Sequence, residues 1–208
     1  MSFPDWLPIR EDLRDEEPYG APQIPDVISL NVNENPYAPS QETAQTIADF
    51  VREAALGLNR YPDREATALR SALADYLEHD LSADQVWAAN GSNEIMMHIL
   101  QAFGGPGRTV LSFAPTYSMY PEYARNTHTR WVQGLRREDF TIDRDHAREL
   151  VEVERPDVVF LTSPNNPTGT ALDPALIRDM LEITTGIVVV DEAYAEFRRD
   201  TTPTALAL

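Results

Sequence analysis

The chain has 208 residues, of which 42% are hydrophobic and 25% are charged, and these proportions are typical of a folded globular protein. Its net charge of −17 argues against a nucleic-acid partner, because such surfaces need clustered lysine and arginine. All 17 basic residues are arginine, and the chain has neither lysine nor cysteine. No apolar run approaches the roughly 20 residues of a membrane span. Residues 1–29 lack the basic start and apolar core of a secretory signal, so we expect a cytoplasmic protein without a membrane partner.

The N-terminal part is rich in proline and acidic residues, and we interpret residues 1–29 as an arm with little regular structure. A short strand is predicted at 28–32. Ser40 is expected to cap a helix over roughly 41–56, because serine side chains accept hydrogen bonds from first-turn amides. A second helix is predicted over about 64–78.

Beyond residue 80, short apolar runs alternate with helical patterns. Strands are predicted at 86–89, 109–113, 129–132, 158–162 and 187–190. Helices are predicted at 93–103, 117–125, 143–153 and 174–183. Near-continuous apolar strands that alternate with helices imply an α/β fold, with a mainly parallel sheet covered by helices on both faces.

The segment from Trp87 to Glu94 suits a phosphate group. Gly91 permits a tight turn, and the amides of Ser92 and Asn93 would then point out of a helix N-terminus, where anions bind. Ser92 adds a hydroxyl donor. An ordinary capped helix accounts for the same residues, so both interpretations stay open.

Two loops follow predicted strands at the carboxyl edge of the sheet, where α/β proteins bind ligands. Tyr117 follows one strand and could stack on a heteroaromatic ring, although a structural tyrosine fits equally well. The segment Ser163-Pro-Asn-Asn-Pro-Thr-Gly169 follows another strand. Its prolines and glycine fix the backbone and would expose the amides of Asn165 and Asn166. Asn166 could donate to a phenolate oxygen, whereas the alternative is a polar turn.

Asp191 directly follows four apolar β residues, and a carboxylate at the end of a buried strand needs a partner. A protonated pyridine nitrogen would supply one, and the pairing would keep the ring cationic and able to absorb electrons. Tyr194 could reach the ring oxygen beside Asn166. The alternative is a structural aspartate that caps the next helix.

Other polar residues are interpreted as unrelated to chemistry. The four histidines are dispersed without metal-ligand spacing, so no metal site is predicted. The pairs Arg136-Arg137 and Arg198-Arg199 are interpreted as solvated faces.

In this order the motifs resemble the fold type I pyridoxal-phosphate (PLP) enzymes, and more narrowly the histidinol-phosphate aminotransferase family. The Asn-Pro-Thr-Gly loop and Asp191-Glu-Ala-Tyr194 are typical of the superfamily. Asn-Glu-Asn-Pro and Arg-Tyr-Pro-Asp are typical of the narrower family. The resemblance covers essentially the whole chain, and its matching segments also include Pro18–Gly20, Leu30–Pro36, Asn59–Asp63, Asn90–Glu94 and Pro115–Tyr120.

The resemblance implies PLP as the cofactor, a homodimer, and transamination of histidinol phosphate, or imidazole-acetol phosphate in reverse, with glutamate and 2-oxoglutarate. Catalytic roles would fall to Asp191 and Tyr194. The cofactor-binding residues would be Ser92, Asn93, Glu94, Tyr117, Asn166, Asp191 and Tyr194, with Tyr61 reaching across the dimer interface. The N-terminal arm would contribute the substrate-binding residues Tyr19, Asn33, Glu34 and Asn35.

The same resemblance implies an incomplete PLP-binding large domain over 30–208, with 30–80 contributing to a small domain or to the dimer interface. The family's Schiff-base lysine lies a few tens of residues past the Asp-Glu-Ala-Tyr segment, followed by arginines for the cofactor phosphate and the substrate carboxylate. This chain contains none of the three, so we expect it to be inactive alone. Alternatives are an aromatic amino-acid aminotransferase, a threonine-phosphate decarboxylase, and a non-catalytic PLP-binding remnant or assembly partner.

Overall fold

The computed structural model describes residues 3–4, 6–15, 20, 22, 24–28, 30–199 and 201–208. The chain divides into two compact units, Met1–Pro62 and Asp63–Leu208. Among the described residues, no helix is both long enough and apolar enough to cross a membrane.

The described residues of the N-terminal unit contain one α-helix, α1 (Gln41–Ala55). Ser40 caps it as predicted, because its Oγ accepts a hydrogen bond from the Thr43 amide at 3.1 Å. The predicted strand at 28–32 is wrong, since the described residues of this stretch form no strand. The Asn31 side chain instead donates to the Pro22 carbonyl at 3.1 Å, which holds the segment as a loop.

The second unit is built on a four-stranded sheet in which every pairing is parallel, as predicted. Its strands are β1 (Thr109–Ala114), β2 (Arg130–Leu135), β3 (Val158–Thr162) and β4 (Ile187–Asp191). They lie in the order β2-β1-β3-β4. The helices are α2 (Thr67–Leu77), α3 (Gly91–Phe103), α4 (Met119–Asn126), α5 (Arg144–Glu154) and α6 (Pro174–Ile183).

Helices cover both faces of the sheet, which confirms the predicted α/β architecture. Because side chains alternate along a strand, Leu111 and Phe113 of β1 point to one face and Val110 to the other. The first face packs on residues of α5 and α6, including Val151 and Met180. The second face packs on residues of α3 and α4, including Met96, Leu100, Tyr123 and Ala124.

Aspartate caps set the start of two helices. The Asp143 carboxylate accepts from the amides of Asp145 and His146, at 2.9 and 3.1 Å, at the start of α5. Asp173 accepts from the Ala175 amide at 2.9 Å, and Pro174 occupies the first position of α6.

The predicted strand at 86–89 is wrong. The chain there pairs with no strand, although Val86 is buried. The Arg70 guanidinium donates through Nε to the carbonyls of Ala83 and Val86, at 3.0 and 2.7 Å. The Arg70 side chain of α2 therefore supplies hydrogen bonds that a neighbouring strand would supply in a sheet.

Asp157 connects the amino ends of β1, β3 and β4 through hydrogen bonds. Its amide donates to the Thr109 carbonyl at 2.8 Å, and its carbonyl accepts from the Ile187 amide at 2.9 Å. Its carboxylate accepts from the Thr109 amide at 2.8 Å and from Arg108 Nη1 at 2.5 Å. Partial burial would by itself raise the pKa of Asp157, but the hydrogen bonds from Arg108 and Thr109 outweigh it and hold the pKa below its usual value.

A lowered pKa means that the folded state favours the charged form of Asp157, so the carboxylate stabilises the fold above its ordinary pKa. We expect Asp157→Asn to lower the free energy of unfolding at pH 7. The difference between the variant and the original protein should shrink as the pH falls below about 4 and through the lower folded-state pKa. Urea unfolding at several pH values between 7 and 3 measures this. A difference that stays constant with pH would contradict it.

Candidate active site

The strand order defines where a ligand would bind. After β1, the chain places β2 on one side of β1. It then places β3 on the other side of β1, and β4 beside β3. In open parallel sheets, a crevice forms outside the carboxyl ends of the strands where the order changes direction in this way. The loops after β1 and β3 leave the sheet at this edge and carry Tyr117 and Asn166, and Asp191 is the last residue of β4 at the same edge.

Asp191 lies at the end of β4 with only 7% of its surface exposed. Its Oδ2 accepts a hydrogen bond from the Tyr120 hydroxyl at 2.7 Å, and its Oδ1 accepts from the Ala193 amide at 3.0 Å. The Tyr120 oxygen is also 2.8 Å from Thr162 Oγ1. Because an ionised carboxylate only accepts, Tyr120 must donate to Asp191 and Thr162 must donate to Tyr120. Burial and the Asp191 charge raise the pKa of Tyr120, so the phenol keeps its proton at neutral pH.

Tyr117 contacts both the first turn of α3 and Tyr120. Its hydroxyl donates to Asn93 Oδ1 at 3.1 Å, and its ring meets the Tyr120 ring edge-on at a centroid distance of 5.7 Å. The Tyr123 hydroxyl donates to the same Asn93 oxygen at 2.7 Å. Two phenols thus engage the oxygen of Asn93, which leaves its amide nitrogen as the group suited to an anionic ligand.

The start of α3 is a tight turn at Gly91. Gly91 has a φ of +76°, a conformation that favours glycine, and the Asn90 side chain makes no capping hydrogen bond to the first turn. Ser92 is half-buried beside this turn. The Glu94 carboxylate accepts from the Asn90 amide at 2.5 Å, so Glu94 stabilises the turn itself. A direct contact of Glu94 with a cofactor stays a prediction.

The asparagine loop after β3 differs from the sequence prediction at one position. Asn165 was expected to expose its amide, yet only 2% of its surface is exposed. Its Oδ1 accepts from Arg136 Nη2 at 3.0 Å and from Thr116 Oγ1 at 3.1 Å. Its Nδ2 donates to the Pro115 carbonyl at 3.1 Å and to Thr168 Oγ1 at 2.8 Å. Asn165 therefore anchors the loop, and its neighbour Asn166 is half-buried beside it.

Arg136 also corrects the sequence analysis, which assigned it to a solvated face. It follows β2 directly and is only 9% exposed, whereas Arg137 is exposed. Besides its bond to Asn165, it donates to the carbonyls of Phe113 and Phe140, at 3.1 and 3.0 Å. Burial lowers the pKa of Arg136 to about 10, so the guanidinium stays charged at neutral pH.

The remaining predicted residues are not joined to this cluster by the contacts described above. Tyr194 is half-buried in the turn that follows Asp191. The N-terminal unit holds Asn33, Glu34, Asn35 and Tyr61. Tyr19 lies outside the described residues. Their roles in binding stay predictions.

The fold and this cluster define a parallel α/β protein with buried polar side chains gathered at the carboxyl edge of its sheet. Residues 25–207 match the family described as aminotransferase class I and II. The chain belongs to this family.

The curated relatives share a common name. The histidinol-phosphate aminotransferase of Thermobifida fusca is 60% identical over 204 residues, which cover 98% of this chain and 56% of the relative. That of Bifidobacterium adolescentis is 53% identical over 223 aligned positions, which cover 100% of this chain and 57% of the relative. The chain thus spans just over half the length of these relatives.

Solved structures share the fold. The histidinol-phosphate aminotransferase of Sinorhizobium meliloti, crystallised with pyridoxal-5'-phosphate, superposes with a TM-score of 0.71 at 23% identity. The match covers 82% of this chain and 45% of that one. At this identity the likeness concerns the fold alone.

Proposed function

We propose that the full-length polypeptide carrying this chain is a PLP-dependent aminotransferase. It would transfer an amino group between histidinol phosphate and 2-oxoglutarate, giving imidazole-acetol phosphate and glutamate, in histidine biosynthesis. Family membership and the shared name of the relatives support this assignment. The single observation that carries it is the buried Asp191 carboxylate, which Tyr120 holds at the carboxyl edge of the sheet.

The residues present fit PLP. A buried carboxylate that accepts one hydrogen bond on each oxygen has lone pairs left for a protonated pyridine nitrogen. Tyr117 offers an aromatic face, and the backbone amides of Ser92 and Asn93 at the start of α3 suit the cofactor phosphate. Asn166 and Tyr194 would donate to the ring oxygen. PLP, when bound, supplies the electron sink for chemistry at the substrate Cα.

A non-catalytic PLP-binding chain is the second candidate. The two candidates differ in whether a lysine of the full-length polypeptide bonds the cofactor covalently, and these 208 residues contain no lysine. Borohydride treatment of the PLP-loaded full-length polypeptide separates the two candidates. A trapped covalent adduct supports the enzyme, whereas reversible binding without an adduct supports the non-catalytic chain.

Substrate preference is tested by comparing rates on three compounds. We expect histidinol phosphate to be transaminated faster than phenylalanine. Faster turnover of phenylalanine would indicate an aromatic amino-acid aminotransferase. Release of carbon dioxide from threonine phosphate would indicate the decarboxylase.

A homodimer in the cytoplasm completes the proposal. Helix α1 exposes the apolar side chains of Ile47, Phe50 and Val51, which lie on one side at spacings of three and four residues. A second copy of the chain is the partner we propose for this stripe, with Tyr61 reaching its neighbour's cofactor. Light scattering of the full-length polypeptide tests this, and a monomeric mass would contradict it.

A further inference from the structure

Arg136 joins three separate segments at the carboxyl edge of the sheet. Its Nε binds the Phe113 carbonyl near the end of β1, and its Nη1 binds the Phe140 carbonyl in the loop before α5. Its Nη2 binds Asn165 in the loop after β3. Since a planar guanidinium presents its donors in fixed directions, these three bonds define the relative positions of the segments.

Asn165 extends this connection to both ligand-facing loops. Through Thr116 and the Pro115 carbonyl it holds the loop after β1, and through Thr168 it holds its own loop. With the bond from Arg136, these three make four bonds to the side-chain amide, so its oxygen accepts two and its nitrogen donates two. The orientation of the amide is fixed as well, because Arg136 can only donate.

The ligand-facing residues lie one position away from this network. Tyr117 follows Thr116, and Asn166 follows Asn165. The network also approaches the carboxylate end of the site, because Thr116 Oγ1 is 3.3 Å from Thr162 Oγ1, which bonds the Tyr120 hydroxyl. A shift of Arg136 would therefore displace residues on both sides of the crevice.

When only stability is considered, the burial of the charged Arg136 side chain is unfavourable. No carboxylate among the described residues pairs with it, and its side-chain hydrogen bonds go to two backbone carbonyls and one side-chain amide oxygen. An apolar side chain of similar volume would avoid the cost of desolvating a charge, but it would leave the Phe113 and Phe140 carbonyls and Asn165 Oδ1 without this donor. What the arginine adds is fixed geometry.

We propose that Arg136 and Asn165 form a positioning pair that fixes the distance between Tyr117 and Asn166 and thereby sets the affinity for PLP. This inference rests on the proposed function. Neither residue touches the cofactor; both act through the residues beside them.

Arg136→Lys in the full-length polypeptide tests the pair. Lysine keeps the charge but lacks the planar guanidinium group that donates to three acceptors at once. The Kd for PLP, measured by fluorescence titration, should rise about tenfold, which corresponds to about 1.4 kcal/mol. The visible absorbance maximum of bound PLP should also shift, because the ring no longer lies in the same position between Tyr117 and Asn166.

Two further variants provide a control and a second test. Arg137→Lys is the matched control, because Arg137 is the exposed neighbour that pairs with Asp143 at 2.5 Å, and it should change neither the Kd nor the absorbance. Thr168→Val removes the hydroxyl that accepts from Asn165 Nδ2 at 2.8 Å and from the Thr170 amide at 3.4 Å, and it leaves one N–H of the buried Asn165 amide unpaired. It should weaken PLP binding several-fold and lower the melting temperature moderately while the protein stays folded, so the inference stays testable if Arg136→Lys does not fold.

The possible failures are distinguishable. If the original protein binds PLP and both Arg136→Lys and Thr168→Val bind it equally well, the positioning pair is refuted while the proposed function stands. If the original protein does not bind PLP, the proposed function fails and this inference fails with it.

Discussion

Turnover of the full-length polypeptide is expected to fall by roughly 10²-fold or more when Asp191 is replaced by asparagine, while the fold is retained. A neutral amide cannot offset the charge of a protonated ring, so the electrostatic contribution of Asp191 is lost. The fold tolerates the change because two hydroxyl groups can reverse direction. Tyr120 would then donate to Thr162 and accept from the new amide nitrogen, and the amide oxygen would still accept from the Ala193 amide.

Asp179→Asn provides the matched control, since Asp179 is another buried carboxylate, on α6, away from the proposed site. It accepts from Arg144 Nε at 2.6 Å and from Arg148 Nη1 at 3.2 Å, which joins α5 to α6. We expect this variant to melt at a lower temperature and to keep its kcat. Steady-state kinetics and thermal melts of both variants give the comparison. If Asp191→Asn retains more than a tenth of the original kcat, the role proposed for Asp191 is wrong.

The sheet and its helices were predictable because local patterns and long-range packing agree. The predicted strand at 158–162 and the helix at 174–183 coincide with β3 and α6. Both have strong local signals, namely a run of four apolar residues in the strand and an aspartate-proline start of the helix. Near residue 86 the apolar pattern was equally suggestive, but Arg70 satisfies the backbone there, and no local pattern reveals a side chain 16 residues away.

The strand-end motifs predicted a site at the carboxyl edge of the sheet, which stays a prediction, whereas the sequence analysis missed the hydrogen-bond network beneath that edge. Tyr120 and Asp191 are 71 residues apart, and Arg136 and Asn165 are 29 apart, so only the fold brings them together. Arg136 lay beside a second arginine, and such pairs are usually exposed. Its position directly after a strand, at the same edge as the other motifs, was the signal that could have identified it.

Phe160→Ala is expected to lower the free energy of unfolding by about 3–5 kcal/mol, because it deletes a fully buried ring from the central strand β3. The Phe160 ring lies 4.9 Å from the Tyr120 ring, so the cavity would form directly beside the residue that holds Asp191. We therefore expect a second effect, a lower turnover at temperatures where the variant is still folded. Chemical denaturation measures the first effect and steady-state kinetics the second.

Phe197→Ala separates these effects from the mere loss of a phenylalanine. Phe197 is 75% exposed, so its removal should change the free energy of unfolding by no more than about 0.5 kcal/mol. Phe160→Leu should lie between the two, since leucine fills part of the cavity. If Phe160→Ala loses stability but keeps full turnover, then Tyr120 holds Asp191 without support from the core. In that case the hydrogen bonds to Thr162 and Asp191 alone would position the carboxylate.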